Sequence, residues 1–169
     1  DNAREHRRAR EVPVAELPGK PLIIDGYNLL ITIESALSRG ILIRGRDGCV
    51  RDLASLHGSY RKVEETLPAA RCIGARLAGL KPAAVHWRFD APVSNSGRLR
   101  ALLLAESEEH GWGWEIALIN GVDQALAEAD EVVVSSDSWV LDRAARWTNF
   151  TSWLLARFAS PPPVLDLSA

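Results

Sequence analysis

Apolar residues fall along this chain in two alternating rhythms. Four short runs, PLIID (21–25), AAVHWRFD (83–90), WEIALIN (114–120) and EVVVSSD (131–137), are rich in β-branched residues and too compact for helices. Their nearly continuous apolar character predicts strands covered on both faces, as in a parallel sheet. Between them the apolar positions recur at helical spacing. Leu29, Leu30, Ile33 and Leu37 predict a helix over 27–38. Similar patterns predict helices over 51–66, over 68–80 with Pro68 as the first residue, and over 122–129, 138–146 and 149–159. The stretch SNSGRLRALLLAESEEHG (94–111) predicts another, with N-cap candidates at Ser94 to Ser96 and a stop at Gly111. Pro161, Pro162 and Pro163 close the last helix, and VLDL beyond them offers an edge strand.

One segment breaks the rhythm. In ILIRGRDGCVRD (41–52), Asp47 and Gly48 supply a turn between two short apolar runs, which predicts a small β-hairpin inserted between helices. Strands alternating with helices imply a doubly wound, Rossmann-like α/β domain: a parallel sheet of four to five strands, helices on both faces, and the hairpin as an insertion. Residues 1–18 read as the end of an upstream helical segment and a linker marked by Pro13, Pro18 and Gly19, with the domain over 19–169. The chain begins on Asp1 and has no methionine, which reads as a piece of a longer protein.

Composition narrows the class. With 47% apolar residues, a 169-residue chain has enough material for one real core. A formal net charge of −2 argues against a nucleic-acid-binding tail, so any anion-binding surface must be local. Cys49 and Cys72 stand far apart, with no ligand-spaced partner, and are expected to be small core residues in a reducing compartment. No apolar run approaches membrane-spanning length and the charged start at Asp1 signals no secretion, so the expected location is cytoplasmic.

The candidate chemistry lies in four aspartates. Asp25 closes the first apolar run, Asp90 the second and Asp137 the fourth; Asp123 follows the third, just past Asn120 and Gly121. In an open parallel sheet, ligands bind beyond the carboxyl ends of the strands, so these carboxylates are expected at one rim. Clustered carboxylates repel one another, and hard divalent cations are their natural partners. Mg²⁺ or Mn²⁺ is therefore the expected cofactor, as one ion or as two. Asp130 precedes a run and falls at the opposite end of the sheet.

These residues carry a family resemblance. IIDGYNLL is similar to the first motif of the NYN branch of PIN-like nucleases, FDA (89–91) to the second, NGVDQAL to the third and VVVSSD to the fourth, in order over 21–141. The chain also resembles an uncharacterised bacterial and archaeal family, a domain of unknown function, in which a small helical domain precedes this one. The resemblance implies a PIN-like fold and metal-dependent RNA hydrolysis. It makes Asp25, Asp90, Asp123 and Asp137 the catalytic metal ligands, with Asn28 as a polar residue supporting the site. RNA is the implied partner, a membrane is not, and a homo-oligomer stays open.

The pattern departs from that family at Trp139, where a second aspartate often follows the fourth motif. Asp142 and Glu34 are the substitutes on offer. An alternative is a catalytically inactive PIN-like module that binds nucleic acid or protein. A phosphatase with an aspartate nucleophile would carry an acid at the position of Tyr27. Other features have a simpler reading beside a functional one. Arg98 and Arg100 behind SNSG suggest a phosphate cradle or an ordinary capped helix; Arg44, Arg46 and Arg51 an RNA track or a solvated hairpin. Most of the six tryptophans are expected in the core, with Trp112 the exception, and His6, His57, His86 and His110 show no mutual ligand spacing.

Overall fold

The structure is a computed structural model, and it describes residues 2–53, 64–93 and 95–169. Among these residues, five parallel strands form the main sheet in the order β5-β4-β1-β6-β7. They are β1 (Pro21–Asp25), β4 (Ala84–Asp90), β5 (Glu115–Ile119), β6 (Val132–Val134) and β7 (Trp147–Thr148). A second, smaller sheet has the order β3-β2-β8, with β2 (Leu42–Arg44) antiparallel to β3 (Val50–Asp52) and parallel to β8 (Val164–Asp166). The architecture is a Rossmann-like α/β fold with a small mixed sheet attached.

The two-residue period of the strands explains the layering. Leu22 and Ile24 of β1 point to one face of the sheet, where they pack with Trp87, Phe89, Ile116 and Val134; Ile23 and Val133 point to the other. Among the described residues, four helices cover the first face: α2 (Gly26–Leu37), α3 (Thr66–Leu80), α4 (Ser96–His110) and α7 (Phe150–Leu155). Two cover the second: α5 (Val122–Ala127) and α6 (Ser138–Arg143). Helices on both sides are why the strands read as nearly continuous apolar runs.

The chain visits this sheet in two directions. From the central β1 it moves outward through β4 to β5 under α2, α3 and α4, then returns to place β6 on the other side of β1 with α5 and α6 on the opposite face. The strand order therefore reverses between β1 and β6, and α2 and α6 leave the sheet toward opposite faces. Such a reversal leaves a crevice outside the strand ends.

The N-terminal helix α1 (Asn2–Ala9) is followed by a short 3₁₀ turn at Val14–Glu16. α1 and the segment after it are fixed to the edge strand: Trp147 Nε1 donates to the Arg7 carbonyl at 2.8 Å, and Val12 N–H donates to the Trp147 carbonyl at 2.7 Å. Arg7 pairs with Asp142 and Asp47, at 2.6 and 2.7 Å, tying α1 to α6 and to the hairpin turn at once.

Several expectations shift. Residues 51 and 52 belong to β3, because the hairpin pairs Leu42 with Asp52 and Arg44 with Val50; the rest of the helix expected over 51–66 lies mostly outside the described residues, as do His57 and Ser94. Pro68 is the third residue of α3, not the first, a position where its missing N–H costs no helical bond. The VLDL segment does supply an edge strand, beside β2 of the small sheet, while the main sheet ends on the two-residue β7. Trp139 is 40% exposed, while Trp112 is half-buried, stacked between His110 and Trp114.

Gly26 has a steric reason to be glycine. A Cβ at this position would lie 2.5 Å from the Phe89 ring, and that ring is fixed by stacking on Trp87, 5.9 Å between centroids. Its backbone needs no left-handed conformation; the close approach of α2 to β4 alone excludes a side chain. Gly26→Ala should lower stability by roughly 1–3 kcal/mol, as overpacking does. A urea midpoint equal to that of the unsubstituted protein would contradict this packing.

Candidate functional site

The carboxyl ends of β1, β4, β5 and β6 carry the four aspartates of the sequence motifs. Asp25 is the last residue of β1 and Asp90 the last of β4, beside Ile119 of β5 in the sheet register. Asp123 sits in the first turn of α5, after the left-handed Gly121 has turned the chain from β5. Asp137 follows β6 and is the N-cap of α6, its Oδ1 accepting from Val140 N–H at 3.0 Å.

They occupy different environments. Asp25 is buried, Asp90 and Asp137 are half-buried, and Asp123 is open to solvent. The Asp25 carboxyl is pushed up from 3.8 to about 7, by burial first of all and then by the charges of Asp123, Asp137 and Asp90; a hydrogen bond from Ser135 pulls the other way. Asp123 is raised as well, by partial burial of its carboxylate and then by Asp137 and Asp90. The four carboxylates thus act on one another as a repelling set. They do not close into a tight cage: no three of them bring ligand oxygens within 4.8 Å of one another.

Two serines and an asparagine set the positions. Ser135 Oγ donates to Asp25 Oδ2 at 2.8 Å and accepts from Asp137 N–H at 3.0 Å, so one hydroxyl fixes two of the acids. Asn28, two residues into α2 after Gly26, accepts from Ser136 N–H through Oδ1 at 2.9 Å, with its Nδ2 3.0 Å from Ser136 Oγ. That bond crosses the reversal between β1 and β6. Arg51 of β3 adds a third brace, donating through Nε to the Ser136 carbonyl at 2.8 Å while its other nitrogens pair with Asp47 at 2.6 and 3.1 Å.

Ser135 and Ser136 are not among the site residues expected from the sequence. Their signal was positional: they occupy the two residues between a buried strand and an aspartate, next to the end of β1. The substitutes for the acid missing at Trp139 are otherwise engaged. Asp142 is held below the usual carboxylate range by its bond to Arg7, and Glu34 is buried and accepts from Thr66 Oγ1 at 3.3 Å. Among the arginines, Arg100 donates to the Ile116 carbonyl at 2.8 Å and Arg44 pairs with Asp166, while Arg46 and Arg98 are exposed.

A cleft of about 430 Å³ opens beside Asp137, between α2, the hairpin and the first turn of α6. Trp139 stands at its wall, with the Arg143 guanidinium 4.1 Å from its ring centroid.

A second group of metal-type ligands lies elsewhere, where Glu106, Glu109 and His110 bring ligand atoms within 4.8 Å at the end of α4. The spacing of the histidines alone does not reveal it; the Glu106 and His110 pair at i, i+4 does. Here Glu106 is held by Arg71 at 3.0 and 3.1 Å, and His110 Nδ1 bonds the Glu106 carbonyl at 2.9 Å. The group sits near the amino ends of the strands, away from the rim. Neither cysteine adds to either site: Cys49 is a buried thiol pushed up to about 12 by burial and by Asp47, and Cys72 is half-buried on α3.

Fold and site together define a Rossmann-like α/β domain with an acidic rim at its point of strand reversal. A family model described as Domain of unknown function (DUF5616) matches residues 14–153, and the chain belongs to that family. It is similar to an uncharacterized protein of Methanocaldococcus jannaschii, 28% identical over 126 residues, which make up 75% of this chain and 60% of the relative. The chain thus spans about 60% of that relative's length. No solved structure matches it.

The raised Asp25 carboxyl makes stability depend on pH with a definite sign. Below its unfolded value of 3.8 the group is protonated in both states; between there and about 7 the unfolded chain ionises first, so stability falls as pH rises. Above about 7 the whole penalty, on the order of 4 kcal/mol, is present. In buffer with EDTA, Asp25→Asn should match the unsubstituted protein near pH 4 and exceed it in melting temperature by a widening margin up to pH 8. A margin that does not change with pH would contradict the assignment.

Proposed function

We propose that this chain is a PIN-like domain of the NYN type that hydrolyses RNA with the help of Mg²⁺ or Mn²⁺ held by Asp25, Asp90, Asp123 and Asp137. The observation that carries the reading is the placement of four mutually repelling carboxylates at the ends of four adjacent strands, at the reversal point of a parallel sheet. The donor set fits the group: oxygen-only, anionic, and with Asp25 raised chiefly by burial and by three more acids. A bound divalent ion would supply activation of water and polarisation of the phosphodiester.

The chain's own residues do the rest. Asp25 holds a proton in part of the molecules at neutral pH and gives it up when a cation binds, so affinity rises with pH through about 7. Ser135 keeps the Asp25 carboxyl turned to the rim and fixes the turn that presents Asp137. Asn28 holds that turn against α2. Exposed Arg46 and Arg98 offer local positive charge to a phosphate backbone on a chain whose net charge is −2.

A second reading has its own support. Trp139 occupies the position where the NYN pattern has another acid, and no three of the four rim carboxylates close to within 4.8 Å. Both features favour a module that binds RNA or protein without cutting.

Millimolar Mn²⁺ should raise the melting temperature of the unsubstituted protein, since a ligand that binds only the folded state stabilises it. Mixed RNAs incubated with Mn²⁺ should be cut, and Asp137→Asn should lower the rate on the order of a hundredfold or more, because asparagine keeps the α6 cap while removing the charge. Binding without cleavage moves the assignment to the second reading. No thermal shift with Mn²⁺, in the unsubstituted protein and in Asp25→Asn alike, removes the metal site.

A further inference from the structure

The cleft is lined by the proposed ligand Asp137 itself, together with Asn28, Ser136 and the buried Asp52, and it runs from the rim to Trp139. Its lining is uneven in chemistry. Asn28, Thr32 and Ser136 are bonded among themselves: Thr32 Oγ1 donates to the Asn28 carbonyl at 2.8 Å, and Asn28 takes up Ser136. Arg51 is committed to Asp47 and to the Ser136 carbonyl. Apolar surface remains in Ile43, Leu53 and Trp139, of which Leu53 is 37% and Trp139 40% exposed.

Trp139 is the most exposed tryptophan among the described residues; Trp87, Trp114 and Trp147 are buried, and Trp112 and Trp153 half-buried. Nothing in the core requires an indole there. Its ring carries the Arg143 guanidinium at 4.1 Å, and Arg143 Nη1 also bonds the Trp139 carbonyl at 3.1 Å, which holds the first turn of α6 and the ring in one arrangement. With the guanidinium over one face of the ring, the other face is the one offered to a base, and aromatic–arginine pairs of this kind bind single strands.

From this combination we infer that the cleft is a subsite for one unpaired nucleotide of single-stranded RNA, whose base stacks on Trp139 next to the acidic rim. The inference rests on the ribonuclease reading for the identity of the polymer and adds where the neighbouring nucleotide goes. At about 430 Å³ the cleft falls within the range of small-ligand sites and admits a base with part of its ribose. A base inside a duplex is stacked between its neighbours and does not reach the ring, so the subsite selects unpaired RNA. The polar side chains of the wall are taken up by the protein's own bonds, Asp52 by Ser35 and Asp137 by the Val140 N–H among them, so recognition is by stacking, and the identity of the base matters little. Trp139 is thus a substrate-binding residue in the place of a ligand.

The test is a fluorescence-anisotropy titration of fluorescein-labelled RNA octamers with the whole chain, in Ca²⁺ in place of Mn²⁺ so that binding is read apart from cutting. Oligo(A), oligo(U) and oligo(C) should bind the unsubstituted protein within a few-fold of one another, and a duplex of the same length at least tenfold more weakly. Trp139→Ala should weaken single-strand binding roughly tenfold, Trp139→Phe should restore most of it, and duplex binding should change less than twofold. An unchanged melting temperature for both variants shows that the fold survives, as an exposed position predicts. Single-strand binding that Trp139→Ala leaves intact, that Trp139→Phe fails to restore, or that the unsubstituted protein lacks, overturns the subsite. A parallel cleavage assay in Mn²⁺ separates the two readings. Binding through Trp139 without cleavage removes the nuclease and keeps the subsite; cleavage that is the same in Trp139→Ala, with unchanged binding, keeps the nuclease and removes the subsite.

Discussion

A carboxylate buried at the end of the central strand is the constraint on which the site depends. Asp25 is surrounded by influences that oppose its ionisation, with one hydroxyl, that of Ser135, favouring it. Folding places it there because β1 must be apolar on both faces and is flanked by β4 and β6, which leaves its last residue enclosed on both sides. Maintaining an acid in such a position costs stability at neutral pH, and positive charge brought to the rim would relieve that cost.

The surroundings are arranged around the same point. α2 and α6 depart from β1 and β6 toward opposite faces, and Asn28 and Ser136 bond across the gap they leave. The hairpin, which interrupts the strand-helix rhythm, reaches this gap through Arg51 and its partner Asp47, and Arg7 joins Asp47 to Asp142 on α6. The insertion, the N-terminal helix and α6 are therefore linked by one chain of ion pairs that ends on the turn carrying Asp137. Trp139 and the cleft are a product of that arrangement, because they fill the space between the hairpin and α6.

The four main strand runs and most of the helices were legible because burial on both faces imposes unbroken apolar runs on strands, and one-sided burial imposes helical spacing on their connections. The strand end at each aspartate was legible for the same reason: the apolar run stops where the sheet does. β7 was not, since two residues, Trp147 and Thr148, are too short to show a period. Nor was the pairing of β8 with β2, which depends on two segments far apart in sequence. The exposure of Trp139 was hidden because an indole reads as core by composition, and only the packing around α6 shows where it points. Ser135 and Ser136 matter through their neighbours in space, Asp25 and Asn28, and a linear pattern does not state those neighbours.

The central claim is that a cation belongs at the rim and not at the Glu106, Glu109 and His110 group. Crystals soaked in Mn²⁺ and measured near the manganese absorption edge test it directly. The account predicts an anomalous peak at coordination distance from Asp25 and at least one of Asp90, Asp123 and Asp137. A peak on the α4 group with none at the rim would contradict it.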